Sequence, residues 1–341
     1  MMAGSNRILV VGPAWVGDMV MAQSLFMTLK GRFPDADIDV LAPAWSRPLL
    51  ARMPEVKSAV TLPLEHGELG WGVRRRLGVT LYGRYQRAIV LPRSWKSALV
   101  PAFANIPIRT GYRGEFRYGL INDIRKLDNK KLTQTVQRYV ALGLPRDATL
   151  PPPIPQPKLR VDKDNQRLQL DLNRLNLDRP VVALLPGAEY GPAKRWPIER
   201  YAELAKRLVA SGKQIWVFGS AKEDELGAAI VQAAGEGAVN LCGRTKLVDA
   251  VDLMALADCA VTNDSGLMHI AGAVGVRLVA LYGSSSPDYT PPLTSKAEVV
   301  YLRLSCSPCF ERTCPLKHFN CMIQMEVDEV FQRSNSQRRA S

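Results

Sequence analysis

An α/β fold of two Rossmann-like domains facing a central cleft is predicted by three features of this 341-residue sequence. The length is about twice the commonest domain size. Short apolar runs ending in Gly, Pro or Asp alternate with helical patterns, the signature of a mostly parallel sheet covered by helices. One proline-rich break separates two such alternations. With 47% hydrophobic and 23% charged residues and no long polar tract, the composition suits a globular chain with a sizeable core.

In the first domain, residues 1–157, a strand is expected at 7–12, a helix at 18–32, a strand at 38–42 and a buried strand at 87–91. The stretch 151–157, PPPIPQP, cannot continue a helix or a central strand, because proline lacks the amide donor and restricts the residue before it. It is the expected linker. In the second domain, residues 158–341, strands are expected at 181–185, 214–218, 259–262 and 278–282, and helices at 198–210, 223–234, 247–257 and 265–274. No solenoid-period repeat is present. Paired domains of this kind place a cleft at the carboxyl ends of both sheets, where ligands of open α/β sheets bind.

The formal net charge is +13, and it is unevenly placed. Residues 1–150 hold 22 Lys and Arg against 11 Asp and Glu, whereas residues 151–341 hold 23 against 21. The first half therefore expects an anionic partner: nucleic acid, an anionic membrane face or a phosphorylated substrate. Charge does not choose among them. No nucleic-acid recognition motif or aromatic stacking platform is evident, so no nucleic-acid partner is expected. The run 7–12 is too short for a secretory signal, and nothing approaches ~18 uninterrupted apolar residues, so a cytoplasmic protein is expected, at most resting on the inner membrane face. Residues 1–6 and 334–341 read as poorly ordered ends.

Residues 12–18, GPAWVGD, lie between the first strand and first helix with a glycine spacing close to the P-loop GxxxxGK(S/T). Asp18 stands where the P-loop has lysine. A carboxylate there would repel nucleotide phosphates, which disfavours nucleotide hydrolysis. At a helix amino terminus the macrodipole stabilises the anion, so Asp18 is a candidate base for a sugar hydroxyl; the bland alternative is a helix cap. Neither first strand is followed by GxGxxG, which argues against a nicotinamide dehydrogenase.

The loop 187–197, GAEYGPAKRWP, follows the first strand of the second domain and suits a diphosphate. Gly187 and Glu189 are candidate contacts, and Lys194 is placed to neutralise a departing phosphate, with Arg195 as a second cation. A solvated basic pair is the plainer alternative. Residues 261–269, VTNDSGLMH, place a strand end, a polar turn and a helix start in succession, pointing amides at an anion. Ser265 and Gly266 offer donors, Asp264 an acceptor for a sugar hydroxyl, and His269 lies one turn on. Gly219 and Ser220 end a strand and form a candidate purine rim. In the basic half, Arg93 and Lys96 follow a buried strand, while Arg113 and Arg117 lie in the glycine-rich RTGYRG segment and its continuation. These four are candidate acceptor-phosphate contacts.

Cys306, Cys309, Cys314 and Cys321, with His318 among them, are dense enough to raise a zinc site. Only the first pair has knuckle spacing, so the expectation is no metal and free thiols packed near the carboxy-terminal helix. Cys242 and Cys259 read as small core hydrophobes.

Taken together, GPAWVGDMVMAQSL, APAWSRPLLARMPEV, LPRSWKSALVP, RTGYRGEFRYGLIND, PGAEYGPAKRWP, FGSAK, TNDSGLMHIAGA and ALYGSSSPDYTPP resemble the ADP-heptose:lipopolysaccharide heptosyltransferases of glycosyltransferase family 9. The resemblance spans about residues 7–300. It implies a GT-B fold, an inverting mechanism, ADP-L-glycero-D-manno-heptose as donor, a heptosyl-Kdo-lipid A acceptor and no cofactor. GPAWVGDM and AEYGPAKRWP favour addition of the second heptose over the first. On that resemblance Asp18 is the base, and Lys194, Asp264, Ser265, Gly266 and His269 belong to the donor site. The segment 306–321 departs from the family pattern.

Overall fold

The computed structural model describes residues 6–65 and 67–336. The chain divides into two units, Met1–Pro157 and Lys158–Ser341. Each is built on a six-stranded, wholly parallel sheet.

The first unit contains β1 (Arg7–Val11), β2 (Asp37–Pro43), β3 (Val56–Leu62), β4 (Arg87–Val90), β5 (Ile108–Tyr112) and β6 (Asp123–Arg125). Their order in space is β3-β2-β1-β4-β5-β6. The second unit contains β7 (Val181–Leu185), β8 (Gln214–Val217), β9 (Ala238–Asn240), β10 (Cys259–Asn263), β11 (Arg277–Tyr282) and β12 (Ala297–Tyr301), in the order β12-β11-β10-β7-β8-β9. Read from the opposite edge, this is the same doubly wound order as the first unit. Each sheet therefore has one switch point, between β1 and β4 and between β7 and β10, where chain direction across the sheet reverses and a crevice opens at the strands' carboxyl ends.

The apolar runs form these strands because strands covered on both faces need no polar alternation: β7 reads VVALL and all five residues are buried. The central β1 is buried after Arg7. Helices cover the sheets with apolar stripes. Along Ile198–Ala210, the buried Tyr201, Leu204, Ala205 and Leu208 recur at spacings of three, one and three. Burying a leucine such as Leu204 contributes about 2 kcal/mol, and truncating it to alanine costs about 3 kcal/mol once the cavity is counted. The 17-residue helix Val16–Arg32 follows β1; Lys30 and Arg32 in its last turn complement the dipole.

The expectation of a poorly ordered chain from Ser334 onward is corrected. Ser334 lies in the helix Val327–Asn335 and is 2% exposed. Arg277 holds it there, donating to the carbonyl of Ser334 at 2.8 Å. A distant cation satisfies the helix's last carbonyls, which local sequence does not reveal. Asn6 likewise accepts from the amide of Asp37 at 3.1 Å. The remaining expectations for residues 1–5 and 337–341 lie outside the described residues. Among the described residues, no helix is long and apolar enough to cross a membrane.

Candidate active site

In the first unit, Asp18 is in the first turn of Val16–Arg32, whose N-cap is Trp15. It is thus the third helical residue rather than the N-cap itself. The loop that delivers it is tight: a Cβ at Gly12 would lie 2.8 Å from the Met19 side chain and 3.1 Å from that of Val40. Only glycine lets β1 turn into the helix without displacing both.

Across the switch point, residues following β4 and β5 form adjoining loops. Arg93 and Arg113 are exposed, and the Lys96 ammonium donates to the carbonyl of Gly67 at 2.6 Å. These three remain at the carboxyl edge of the sheet that carries Asp18. Arg117 differs. It is 2% exposed, and its guanidinium donates to the carbonyls of Tyr112, at 2.5 and 3.1 Å, and Pro92, at 2.6 Å. Burial pulls its pKa down to about 10. Its donors are spent on fastening two loops together, so the expected phosphate contact at Arg117 is replaced by a structural one: a buried arginine must satisfy its own fork first.

The second unit's site straddles its switch point. The Lys194 ammonium, on the loop after β7, meets the Asp264 carboxylate, after β10, at 2.6 Å. The pair is largely buried, and Thr290 Oγ1 lies 3.4 Å from both Asp264 oxygens. The Tyr190 ring lies under the ammonium, 4.9 Å from nitrogen to ring centre. Ser265 is the N-cap of Gly266–Ala273. Its hydroxyl is buried with no hydrogen-bond partner among the described residues, and so is His269 Nδ1. Burial, opposed by Asp264 and assisted by Lys194, pushes the His269 pKa down to about 4, so the ring is neutral at pH 7. Uncommitted donors and acceptors in a buried position at a helix start form a place prepared for an anion.

A third group of expected residues converges on a residue the sequence reading missed. A Cβ on Gly187 or Gly219 would run into the Glu223 side chain. The Ser220 amide and hydroxyl both donate to Glu223 Oε2, at 2.7 and 2.6 Å. Ser220 is therefore committed to capping the following turn. Glu189 stands apart, exposed and paired with Lys222 at 3.2 Å. Asn263 was also missed as a positioning residue. Its side chain accepts from the Trp196 amide and Tyr201 hydroxyl and donates to the Pro186 carbonyl, locking both ends of the 187–195 loop. A buried strand-end asparagine carries no pattern that distinguishes it from a turn residue.

The cysteine segment braces the same loop. The Ala193 amide donates to the Arg312 carbonyl at 3.0 Å, and the Tyr190 hydroxyl to that of Phe310 at 2.6 Å. Cys306, Cys309, Cys314 and Cys321 line one cavity of about 20 Å³ with Ala193 and Ser284, room for about one water-sized atom. All six cysteines are free thiols. Among the described residues, no group of three or more His, Cys, Asp or Glu side chains could hold a metal ion.

Against this geometry, the model of glycosyltransferase family 9 (heptosyltransferase) matches residues 74–320. The chain belongs to glycosyltransferase family 9. The transferase is 55% identical over 306 residues to lipopolysaccharide heptosyltransferase 2 of Salmonella typhimurium, covering 87% of this chain and 88% of that protein. To the protein of the same description from Escherichia coli it is 54% identical, with the same coverage. Its fold matches the solved structure of the E. coli ADP-heptose lipopolysaccharide heptosyltransferase II with a TM-score of 0.86 and 47% identity, covering 96% of this chain and 97% of that one. The α/β, GT-B class expected of the sequence is therefore the fold class of this glycosyltransferase. The family match runs through residue 320, so it includes Cys306, Cys309 and Cys314.

Proposed function

We propose that this transferase adds the second L-glycero-D-manno-heptose of the lipopolysaccharide inner core, moving it from ADP-heptose onto heptosyl-Kdo2-lipid A. The observation that carries the reading is the 55% identity over most of both chains to a lipopolysaccharide heptosyltransferase 2. The reaction is a single displacement. Asp18 takes the proton from the acceptor hydroxyl, that oxygen attacks the anomeric carbon, and the bond to ADP breaks with its electron pair on the diphosphate, inverting the centre.

In this reading the second unit binds the donor. Lys194 and the amides at Ser265 and Gly266 cover the charge that grows on the leaving diphosphate, and neutral His269 contributes a hydrogen bond rather than a cation. Asp264 fixes Lys194 and accepts from a donor hydroxyl, while Gly187 and Gly219 let the loops after β7 and β8 close on Glu223 beside the nucleotide. The first unit binds the phosphorylated lipid A-core acceptor through Arg93, Lys96 and Arg113, on the inner face of the cytoplasmic membrane. No cofactor takes part, so excess chelator leaves turnover unchanged. The test is mass spectrometry of the product formed from ADP-heptose and monoheptosylated Kdo2-lipid A. A gain of one heptosyl residue supports the reading; transfer only to acceptor lacking the first heptose refutes it.

A further inference from the structure

One cluster of nucleophilic side chains lies outside the chemistry at Asp18 and Lys194. Cys306, Cys309, Cys314 and Cys321 share the cavity beside Ala193, which has room for about one water-sized atom, so the four thiols are neighbours. Cys321 is buried, whereas the other three are half-buried and open to small solutes.

The four thiols are not equivalent. At Cys314, burial raises the pKa, but backbone amides of Phe319, Leu316, His318 and Lys317 turn toward the sulfur, outweigh burial and hold the thiol below its ordinary value. Converging amides favour the thiolate, which is the nucleophilic form. Burial and the charges of Cys306, Cys309 and Cys314 push Cys321 the other way, up to about 11. Burial likewise pushes Cys242 up to about 12 and Cys259 to about 11. A stabilised, accessible thiolate with further thiols beside it is prone to oxidation, whereas the two core cysteines are inert.

The cluster is also fastened to the loop that carries Lys194. Phe310 and Arg312 lie between Cys309 and Cys314, and their carbonyls accept from the Tyr190 hydroxyl and the Ala193 amide at 2.6 and 3.0 Å. The two segments pack so closely that a Cβ at Gly191 would collide with the Arg312 carbonyl.

We propose that Cys314 is a site of oxidative modification, which reacts with hydroperoxides and closes onto Cys306 or Cys309 as a disulfide that displaces the 187–195 loop. The Cys314 thiolate attacks one peroxide oxygen, the O–O bond breaks and hydroxide leaves, giving a sulfenic acid. The thiol of Cys306 or Cys309 then attacks that sulfur; the S–S bond forms, the S–O bond breaks and water departs. Two electrons pass from the sulfurs to the peroxide. Drawing two sulfurs into a bond closes the cavity and pulls the intervening carbonyls off Tyr190 and Ala193, so Lys194 loses its setting. That consequence rests on the reading of 187–195 as the donor loop; the disulfide does not.

Full-length protein is treated with hydrogen peroxide and digested with trypsin without reduction. The expected product is the peptide 304–312 joined to the peptide 313–317, with Cys242 and Cys259 unmodified. ADP affinity by calorimetry is expected to fall roughly tenfold on oxidation and to return with dithiothreitol. Before treatment, Cys314→Ser is expected to keep ADP affinity and kcat/KM within about twofold of wild type, and after treatment to show no change. A peroxide response retained by Cys314→Ser would overturn the proposal, as would absence of the joined peptides or unchanged ADP affinity in the disulfide form. Stoichiometric zinc or iron in the purified protein would also overturn it, by assigning the thiols to a metal. If the heptose-transfer reading fails, turnover is absent from wild type too, while the joined peptides are still read independently.

Discussion

The two switch points of this molecule share a topology and differ in finish. At β7 and β10, the cation, the carboxylate and the imidazole are buried and mutually positioned, with Lys194 on Asp264 at 2.6 Å and Asn263 locking the loop between strand end and helix. At β1 and β4, the corresponding edge is open: Arg93 and Arg113 are exposed, and Arg117 is buried as a fastener. A small, highly charged donor rewards preorganised dipoles in a dry site. On the proposed function, a large phosphorylated acceptor rewards exposed cations that can adapt. One fold serves both because ligands meet its loops, which vary while the sheet is kept.

If chemistry belongs to the open edge and donor binding to the finished one, single substitutions should separate them. Asp18→Asn is expected to lower kcat roughly a thousandfold, the weight of a general base, with ADP affinity by calorimetry essentially unchanged. Lost ADP binding in that variant would merge the two roles. Lys194→Met is expected to raise the donor KM and to lower kcat roughly a hundredfold, because it removes charge from the leaving diphosphate. It also leaves Asp264 buried without its partner, so thermal unfolding should show a loss of about 3 kcal/mol. An unaffected rate would remove Lys194 from the chemistry.

The two units should also part in their response to acid. His269, with a folded pKa of about 4 against an ordinary 6.5, takes up its proton more readily when unfolded. Its neutral burial therefore costs nothing above pH 6.5 and drains stability as pH falls from 6.5 toward 4, about 2 kcal/mol between pH 7 and 5. His269→Gln should flatten that segment of the denaturation profile. In the first unit, burial raises the Asp123 pKa, but hydrogen bonds from Arg125, Thr110 and Arg146 outweigh it and hold the carboxyl at about 2. Its stabilisation is present above the unfolded value near 4 and is lost as pH falls from there toward 2. Asp123→Asn should cost about 1–2 kcal/mol at pH 7 and little at pH 2, measured by urea unfolding.

Strands buried on both faces were legible to within a residue or two: 181–185 is β7 as expected, and 259–262 extends only to Asn263. The strands not foreseen are those whose polarity breaks the apolar run. β3 reads VKSAVTL with no residue fully buried, β5 reads IRTGY, β6 and β9 have three residues each, and β12 reads AEVVY with one buried residue. Their place is fixed by neighbours in the sheet, which local pattern does not encode. The helix expected at 247–257 stops at Met254, because the chain tightens there into a turn leading to β10. At the site, glycine, lysine and the strand-end turn were readable since their chemistry is local. Glu223 and Asn263 were not, because their importance lies in partners distant in sequence.

Hydrogen exchange of the full-length protein with and without ADP distinguishes the two edges in one experiment. Slowed exchange is expected at the amides of residues 187–194 and 264–269, with residues 12–18 and 113–118 unchanged. Protection confined to 12–18 and 113–118 would place the nucleotide on the open edge and contradict the division of labour between the units.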